Sequence, residues 1–362
     1  MSHPKMADSI LRGTRVRVTY PTPPPPSESD SPGADFCKDT NPSSQSLNQN
    51  GPRHGTSSAP ATADVHVLDV GDPAHPTLVF LSGLAVPWFD WQDLVLQLSS
   101  TRRVLVIDRA GAGLSGPVPF RDPSPLLAEA EVVRQVLDAK SVSCAVVVGH
   151  SMGALVAEAF ARNFPKRCAG LALFDPSFES SPSHTHDAED GGGAGEISAV
   201  ERRVPVPLPA FSRFVFRQTR AVLSSRLAAR TFASLRLRFA RTKLRSADDE
   251  DVEAVNRAVF TRSHVLDGVV REYASYDLWT AQLAELRSQL PLSCGALVVA
   301  ARLGPRFLTD SWVEHLRNLA AVLAAEVGPR WVDFEVVEAS HLLMRDVPEE
   351  LAGLLLARWP GD

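Results

Sequence analysis

Five residues, Gly149-His150-Ser151-Met152-Gly153, stand where a run of β-branched residues meets a run of small helix formers in "VVVGHSMGALVAE". A serine hydroxyl is a weak nucleophile. To act as one it needs open access to substrate and a base within hydrogen-bond reach. A sharp strand-to-helix turn supplies the access, because it lifts Ser151 clear of the sheet, and the positions two before and two after must then be small. Gly149 and Gly153 meet that requirement. The helix that follows starts behind the serine, so its N-terminus and the Met152 amide face the place where negative charge develops.

A base is offered near the far end of the chain. His341 follows the strand-like "WVDFEVVE" and precedes the closing helix "PEELAGLLLARW" by a short loop. The C-terminal ends of parallel strands are where side chains gather at a catalytic edge, and the order Ser then His suits a triad. Five other histidines (His3, His54, His66, His184, His186) lie in the N-terminal region or in a polar loop. His150, beside the serine, is expected to point away from the base.

Those residues need elements to carry them. From "TLVFLSG" onward, short apolar strands alternate with helical segments: "WFDWQDLVLQLSS", "RVLVIDRAGAGLSG", "SPLLAEAEVVRQVLDAK", "CAVVVG", "GALVAEAFARNFP" and "GLALFDPS". Continuously apolar strands separated by helices predict an α/β fold with a parallel sheet covered on both faces. The alternation stops at Pro176 and resumes at "GALVVAAR". Between these lie a polar, Gly-rich stretch, "ESSPSHTHDAEDGGGAGEIS", and about 90 residues of helical text. Near the start, "TRVRVTY" and "ADVHVLDV" alternate like strands. They flank a Pro/Ser-rich segment too poor in aliphatics to offset its ordering entropy. That segment reads as a long insertion in a hairpin, with an N-terminal tail ending before Ala63 as the alternative. The predicted organisation is therefore 1–20 with a first strand, 21–62 disordered, 63–178 core, 179–290 flexible loop and helical lid, and 291–362 core.

With these stretches in place, the sequence resembles the α/β-hydrolase superfamily from about Ala63 to the C-terminus, apart from the helical insertion. "LVFLSGLA" resembles that family's oxyanion loop, and "VIDRAGAGLSG" its Asp-Arg-x-Gly-x-Gly-x-Ser turn. "GLALFDPS" resembles its sixth strand, and "VEASHLLMRDVPEEL" the loop carrying the catalytic histidine. The resemblance implies an eight-stranded, mostly parallel sheet with a lid inserted after strand six, and an acyl-serine intermediate. In the α/β-hydrolase family the acid usually follows strand seven in a pattern like Gly-x-x-Asp. Here the stretch reads "VVAARLGPRF", with Gly304 where the carboxylate belongs. Two candidates remain. Asp175 ends strand six, where some branches place the acid. Asp310 in "FLTDSW" looks like a helix N-cap. Asp175 is preferred, because the acid must sit at the sheet edge to orient the imidazole. The oxyanion donors are the amides of Met152 and Leu84. Asp108 and Arg109 read as structural, and Trp88 and Trp91 as packing or as walls of an acyl pocket. Relatives that act as epoxide hydrolases or haloalkane dehalogenases use Asp where this chain has Ser151, which disfavours those activities.

The predicted activity is cleavage of a carboxylic ester or related acyl bond, with an apolar substrate part. Acyl transfer, lactone opening and C–C cleavage by the same triad stay open, as does a non-catalytic binding role. No metal or organic cofactor is implied. "HTHDAED" reads as a solvated loop, and the four cysteines lack metal-ligand spacing; Cys144 and Cys168 read as buried thiols. A net charge of −5 and the lack of a binding module argue against nucleic acid as a partner. Arg202 to Arg245 holds twelve basic residues and no acidic one. These are either solvated lid arginines or a positive rim that attracts an anionic substrate or a phospholipid surface. The N-terminus lacks an apolar core of signal-peptide length, and no apolar run is long enough to span a bilayer, so the expected location is cytoplasmic.

Overall fold

Side chains alternate across a β-strand, so a strand that is apolar at every position must be buried on both faces. The central strands of this protein meet that condition. The computed structural model describes residues 13–21, 61–119, 124–177, 249–303 and 306–361. Eight strands form one sheet: β1 (Thr14–Thr19), β2 (Thr62–Val70), β3 (Thr77–Leu81), β4 (Arg103–Asp108), β5 (Ala145–His150), β6 (Cys168–Phe174), β7 (Ala296–Ala301) and β8 (Val332–Val337). Their spatial order is β1-β2-β4-β3-β5-β6-β7-β8. β2 runs antiparallel to β1 and β4, and every other pairing is parallel. This is the eight-stranded, mostly parallel sheet predicted.

Each inner strand divides its side chains between two cores. Val79 and Leu81 of β3, Val147 of β5 and Val298 of β7 join one apolar cluster, while Leu78, Phe80, Val148 and Val299 join the other. The first cluster is closed by α2 (Leu126–Ala139), α3 (Met152–Asn163), α6 (Tyr276–Gln289) and α7 (Arg306–Val327). The second is closed by α1 (Gln92–Leu98) and α8 (Pro348–Arg358). The outer strands alternate instead: Arg15 and Arg17 of β1 and Asp333 and Glu335 of β8 are exposed. Charges on those edges discourage pairing with another chain.

β1 pairs with β2 in register from Thr14↔Val67 to Thr19↔Thr62, and Tyr20 N donates to Ala61 O at 2.8 Å. The Pro/Ser-rich segment therefore leaves and re-enters at one end of a hairpin, which decides against the N-terminal-tail alternative. Its residues 22–60 lie outside the described residues, as do 178–248, which hold the polar loop, "HTHDAED" and the basic stretch from Arg202 to Arg245.

Between β6 and β7 the described residues form α4 (Asp249–Phe260), α5 (Ser263–Ala274) and α6. The sequence reading assigns this whole region to the lid. α6, however, is a layer helix: Trp279, Leu283 and Leu286 are buried in the first core, and Trp279 Nε1 donates to Ser124 O at 2.7 Å. Asp310 also departs from expectation. α7 already runs from Arg306, so Asp310 lies inside the helix and is exposed instead of capping it. The helix is held by packing of its Val313, Leu316, Leu319 and Leu323 face, the usual source of helix stability in a folded protein. Among the described residues, no helix is long and apolar enough to cross a membrane.

Candidate active site

Ser151 lies between the end of β5 and the start of α3, with φ 52° and ψ −125°. Non-glycine residues rarely hold a positive φ, and such strain persists only where the surroundings enforce it. Here the neighbouring strand enforces it. Ser151 N donates to Phe174 O at 3.1 Å, and Ser151 O accepts from Ser177 N at 3.1 Å and from Ala154 N at 3.0 Å. The flanking glycines are required by close backbone approach. A Cβ on Gly153 would fall 2.2 Å from Leu81 O, and one on Gly149 would fall 2.5 Å from the Ala154 Cα.

The same bend recurs one strand over. Asp175 follows β6 with φ 42°, and its amide donates to Val299 O at 2.7 Å. Its carboxylate is buried and fully engaged. Oδ1 accepts from the Trp312 indole at 2.7 Å and from Ala301 N at 3.1 Å, while Oδ2 accepts from His341 Nδ1 at 2.5 Å. Because the carboxylate accepts, the His341 proton sits on Nδ1, and Nε2 is left as the basic nitrogen. The structure thus joins His341 to Asp175 rather than to Asp310.

His341 and Ser151 share one edge of the sheet through His150. The His150 Nε2–H donates to the His341 carbonyl at 2.7 Å, and the two rings lie 4.7 Å apart between centroids. The expectation that His150 points away from the base is corrected: its ring reaches under the loop that carries His341. Burial, and then the nearby His341, push the His150 pKa down to about 3, so this ring is a neutral strut. Gly83 sits against both residues. A Cβ placed there would fall 2.7 Å from the Ser151 Cβ and 2.9 Å from His150 Nδ1.

The Ser82-Gly83-Leu84 loop after β3 is fixed from two sides. Ser82 Oγ accepts from the Trp91 indole at 2.8 Å, and Ser82 O accepts from Arg109. Leu84 follows Gly83, and Met152 is the first residue of α3, directly after Ser151. Trp88 and Trp91 are fully buried, with Trp91 against Phe80, Phe174 and His150, which makes them packing residues. Asp108 accepts from Trp88 N, Leu114 N and His66 Nδ1, and Arg109 pairs with Glu272 of α5. Both hold the turn after β4 in place.

Three contributors are not evident from sequence. Trp312 orients the Asp175 carboxylate from α7. Ser177 pins the elbow backbone and brings its Oγ within 3.4 Å of the Ser151 Oγ. His150 ties the elbow to the base loop. Ser177 has a faint signal in its place two residues after Asp175; Trp312 has none, because it reads as one more apolar helix position.

The family model described as the alpha/beta hydrolase family matches residues 78–354, well over half of the chain. The chain belongs to the alpha/beta hydrolase family. Epoxide hydrolase B of Mycobacterium tuberculosis is 35% identical over 101 residues, covering 28% of this chain and 28% of that protein. The chain therefore spans little more than a quarter of that relative's length. Epoxide hydrolase 4 of Mus musculus is 23% identical over 295 residues, covering 81% of this chain and 75% of that protein. Among solved structures, Cfl2 from Burkholderia cenocepacia superposes with a TM-score of 0.58 at 20% identity, over 82% of this chain and 92% of its own. That likeness is one of fold.

Proposed function

We propose that this hydrolase is a serine enzyme that cleaves a carboxylic ester, or a related acyl bond, through an acyl-serine intermediate. Ser151 Oγ attacks the carbonyl carbon while His341 Nε2 takes its proton. Asp175 holds the resulting imidazolium, and the amides of Met152 and Leu84 receive the oxyanion. His341 then protonates the leaving alcohol, and water, activated by the same nitrogen, releases the acid. An apolar substrate part suits the Leu- and Phe-rich sequence between β6 and β7.

The observation that carries this reading is the Asp175–His341 hydrogen bond at the sheet edge that also presents Ser151 on its strained turn. Epoxide opening, which the names of two relatives suggest, suits this elbow poorly. Attack on an epoxide by a serine oxygen would leave an alkyl ether, and water does not cleave that bond under these conditions. A carboxylate nucleophile gives an ester that water can reopen, and this chain has a hydroxyl at that position.

The test combines a fluorophosphonate probe with p-nitrophenyl esters of graded chain length. Wild-type protein is expected to be labelled on Ser151 and to turn esters over, and Ser151→Ala to do neither. If neither protein is labelled and no ester is hydrolysed, the non-catalytic binding role replaces this proposal. If an epoxide is opened to a diol and that activity survives in Ser151→Ala, the serine mechanism fails.

A further inference from the structure

Three cysteines that stand far apart in sequence come together at the end of the sheet opposite the candidate site. Cys144 immediately precedes β5, Cys168 is the first residue of β6, and Cys294 lies two residues before β7. These three strands are neighbours and parallel, so their starts share one edge. Cys144 is exposed, in contrast to the buried thiol expected from sequence, while Cys168 is buried and Cys294 is half-buried.

The Cys168 and Cys294 sulfurs lie 3.8 Å apart; Cys168 belongs to the first apolar cluster, and Cys294 packs against it. Adjacent strands run about 4.8 Å apart, within the usual Cα separation of bridged cysteines. To bond, the two sulfurs must close from 3.8 Å to about 2.0 Å.

We propose that Cys168 and Cys294 form a redox-active dithiol that closes to a disulfide when a peroxide oxidises Cys294. Cys294 is the more accessible of the two and reacts first. Its contact with the Cys168 sulfur and the nearby Arg162 guanidinium favour the Cys294 thiolate, whereas the same contact and burial push the Cys168 thiol up. In the first step the Cys294 thiolate attacks one peroxide oxygen. The S–O bond forms, the O–O bond breaks, and the departing hydroxide takes up a proton to become water. In the second step the Cys168 sulfur attacks the Cys294 sulfenic acid. The S–S bond forms, the S–O bond breaks, and the leaving hydroxide takes the Cys168 proton. Two thiols are oxidised, and one peroxide is reduced to two waters.

The bond would close a loop from Cys168 to Cys294 that contains α4, α5, α6 and the whole inserted segment between β6 and β7. Cross-linking so long a loop restricts the unfolded chain. The oxidised protein should therefore unfold at a higher temperature, and the site at the other end of the sheet should keep its geometry. In a thiol-reducing compartment such a bond is transient and reports oxidant exposure.

The full chain is treated with graded hydrogen peroxide, alkylated and digested without reductant for peptide mass mapping. Expected is a cross-linked pair of peptides bearing Cys168 and Cys294, lighter by two hydrogens and released by dithiothreitol, with Cys144 still alkylated. Tm should rise by several degrees, and ester turnover, where present, should be unchanged. In Cys168→Ala, dimedone should trap sulfenic acid at Cys294; the wild-type map stands by itself if that variant does not fold. Full alkylation of both cysteines after peroxide, or a cross-link through Cys144, overturns the proposal.

Discussion

The Nδ1–H of His341 donates to Oδ2 of Asp175 at 2.5 Å, across 166 residues of chain. The carboxylate comes from the end of β6, one strand inward from β7. Asp175→Asn keeps the shape but lets the imidazole take the wrong tautomer. A fall in kcat of about 10³–10⁴-fold is expected, measured as p-nitrophenyl ester turnover. Asp310→Asn should leave turnover unchanged, because that residue lies exposed on α7. Near-abolition by the second change alone would overturn the assignment.

Trp312 holds the other oxygen of the same carboxylate. Trp312→Phe keeps most of the ring and removes the N–H donor. A hydrogen bond to a charged group contributes about 1.5–3 kcal/mol, and Ala301 N still holds Oδ1 in part. We expect kcat to fall by roughly tenfold with KM little changed, between wild type and Asp175→Asn. A change confined to KM would contradict the positioning role.

His150 is neutral in the folded protein, with its pKa lowered to about 3, and titrates in the ordinary histidine range once unfolded. Above pH 6.5 both states leave it neutral, and its contribution to stability is full. As pH falls from about 6.5 towards 3, only the unfolded state takes the proton, and stability is lost at up to about 1.4 kcal/mol per pH unit. His150→Gln can still donate to the His341 carbonyl but does not titrate. Urea unfolding between pH 7.5 and pH 4 should show a shallower acid loss for this variant; an identical slope would exclude the ring as the source.

Glu158 ties the elbow helix to its neighbours. It accepts from Arg162 one turn on and from Arg287 of α6, and Arg162 also reaches Glu326 of α7. Burial opposes the charged form of Glu158, but Arg287 and Arg162 together outweigh it and hold the carboxyl below its ordinary range. Its contribution is therefore complete at neutral pH and lost as acid protonates it. Glu158→Ala removes the carboxylate that Arg162 and Arg287 share, while Arg162 keeps Glu326, and should cost about 1–3 kcal/mol, read as a lower denaturation midpoint.

Gly83 leaves no room for a side chain beside Ser151. In Gly83→Ala the loop or the nucleophile must shift by roughly an ångström, which is enough to reduce turnover by about 100-fold. Circular dichroism should stay native, because the strain is local.

Most of the fold was legible in the residues, because burial on both faces demands strands that are apolar throughout and an exposed edge demands alternation. "TLVFL", "AVVVG" and "ALVVAA" satisfy the first, and "VDFEVV" the second. The elbow was legible for a similar local reason: a backbone bend at Ser151 excludes side chains two positions away, and that exclusion is written as two glycines. α6 misled because helical spacing reports an apolar face without naming the surface that covers it.

The sequence by itself determined the strand succession, the strained serine and the histidine loop, since each depends on the chemistry of residues close together in the chain. Only the tertiary structure decided which carboxylate meets His341, that Trp312 and His150 brace the pair, and that Cys168 faces Cys294. Those contacts join residues more than a hundred positions apart. Their geometry is set by strand order and by the register of parallel neighbours, neither of which leaves a mark at the positions concerned.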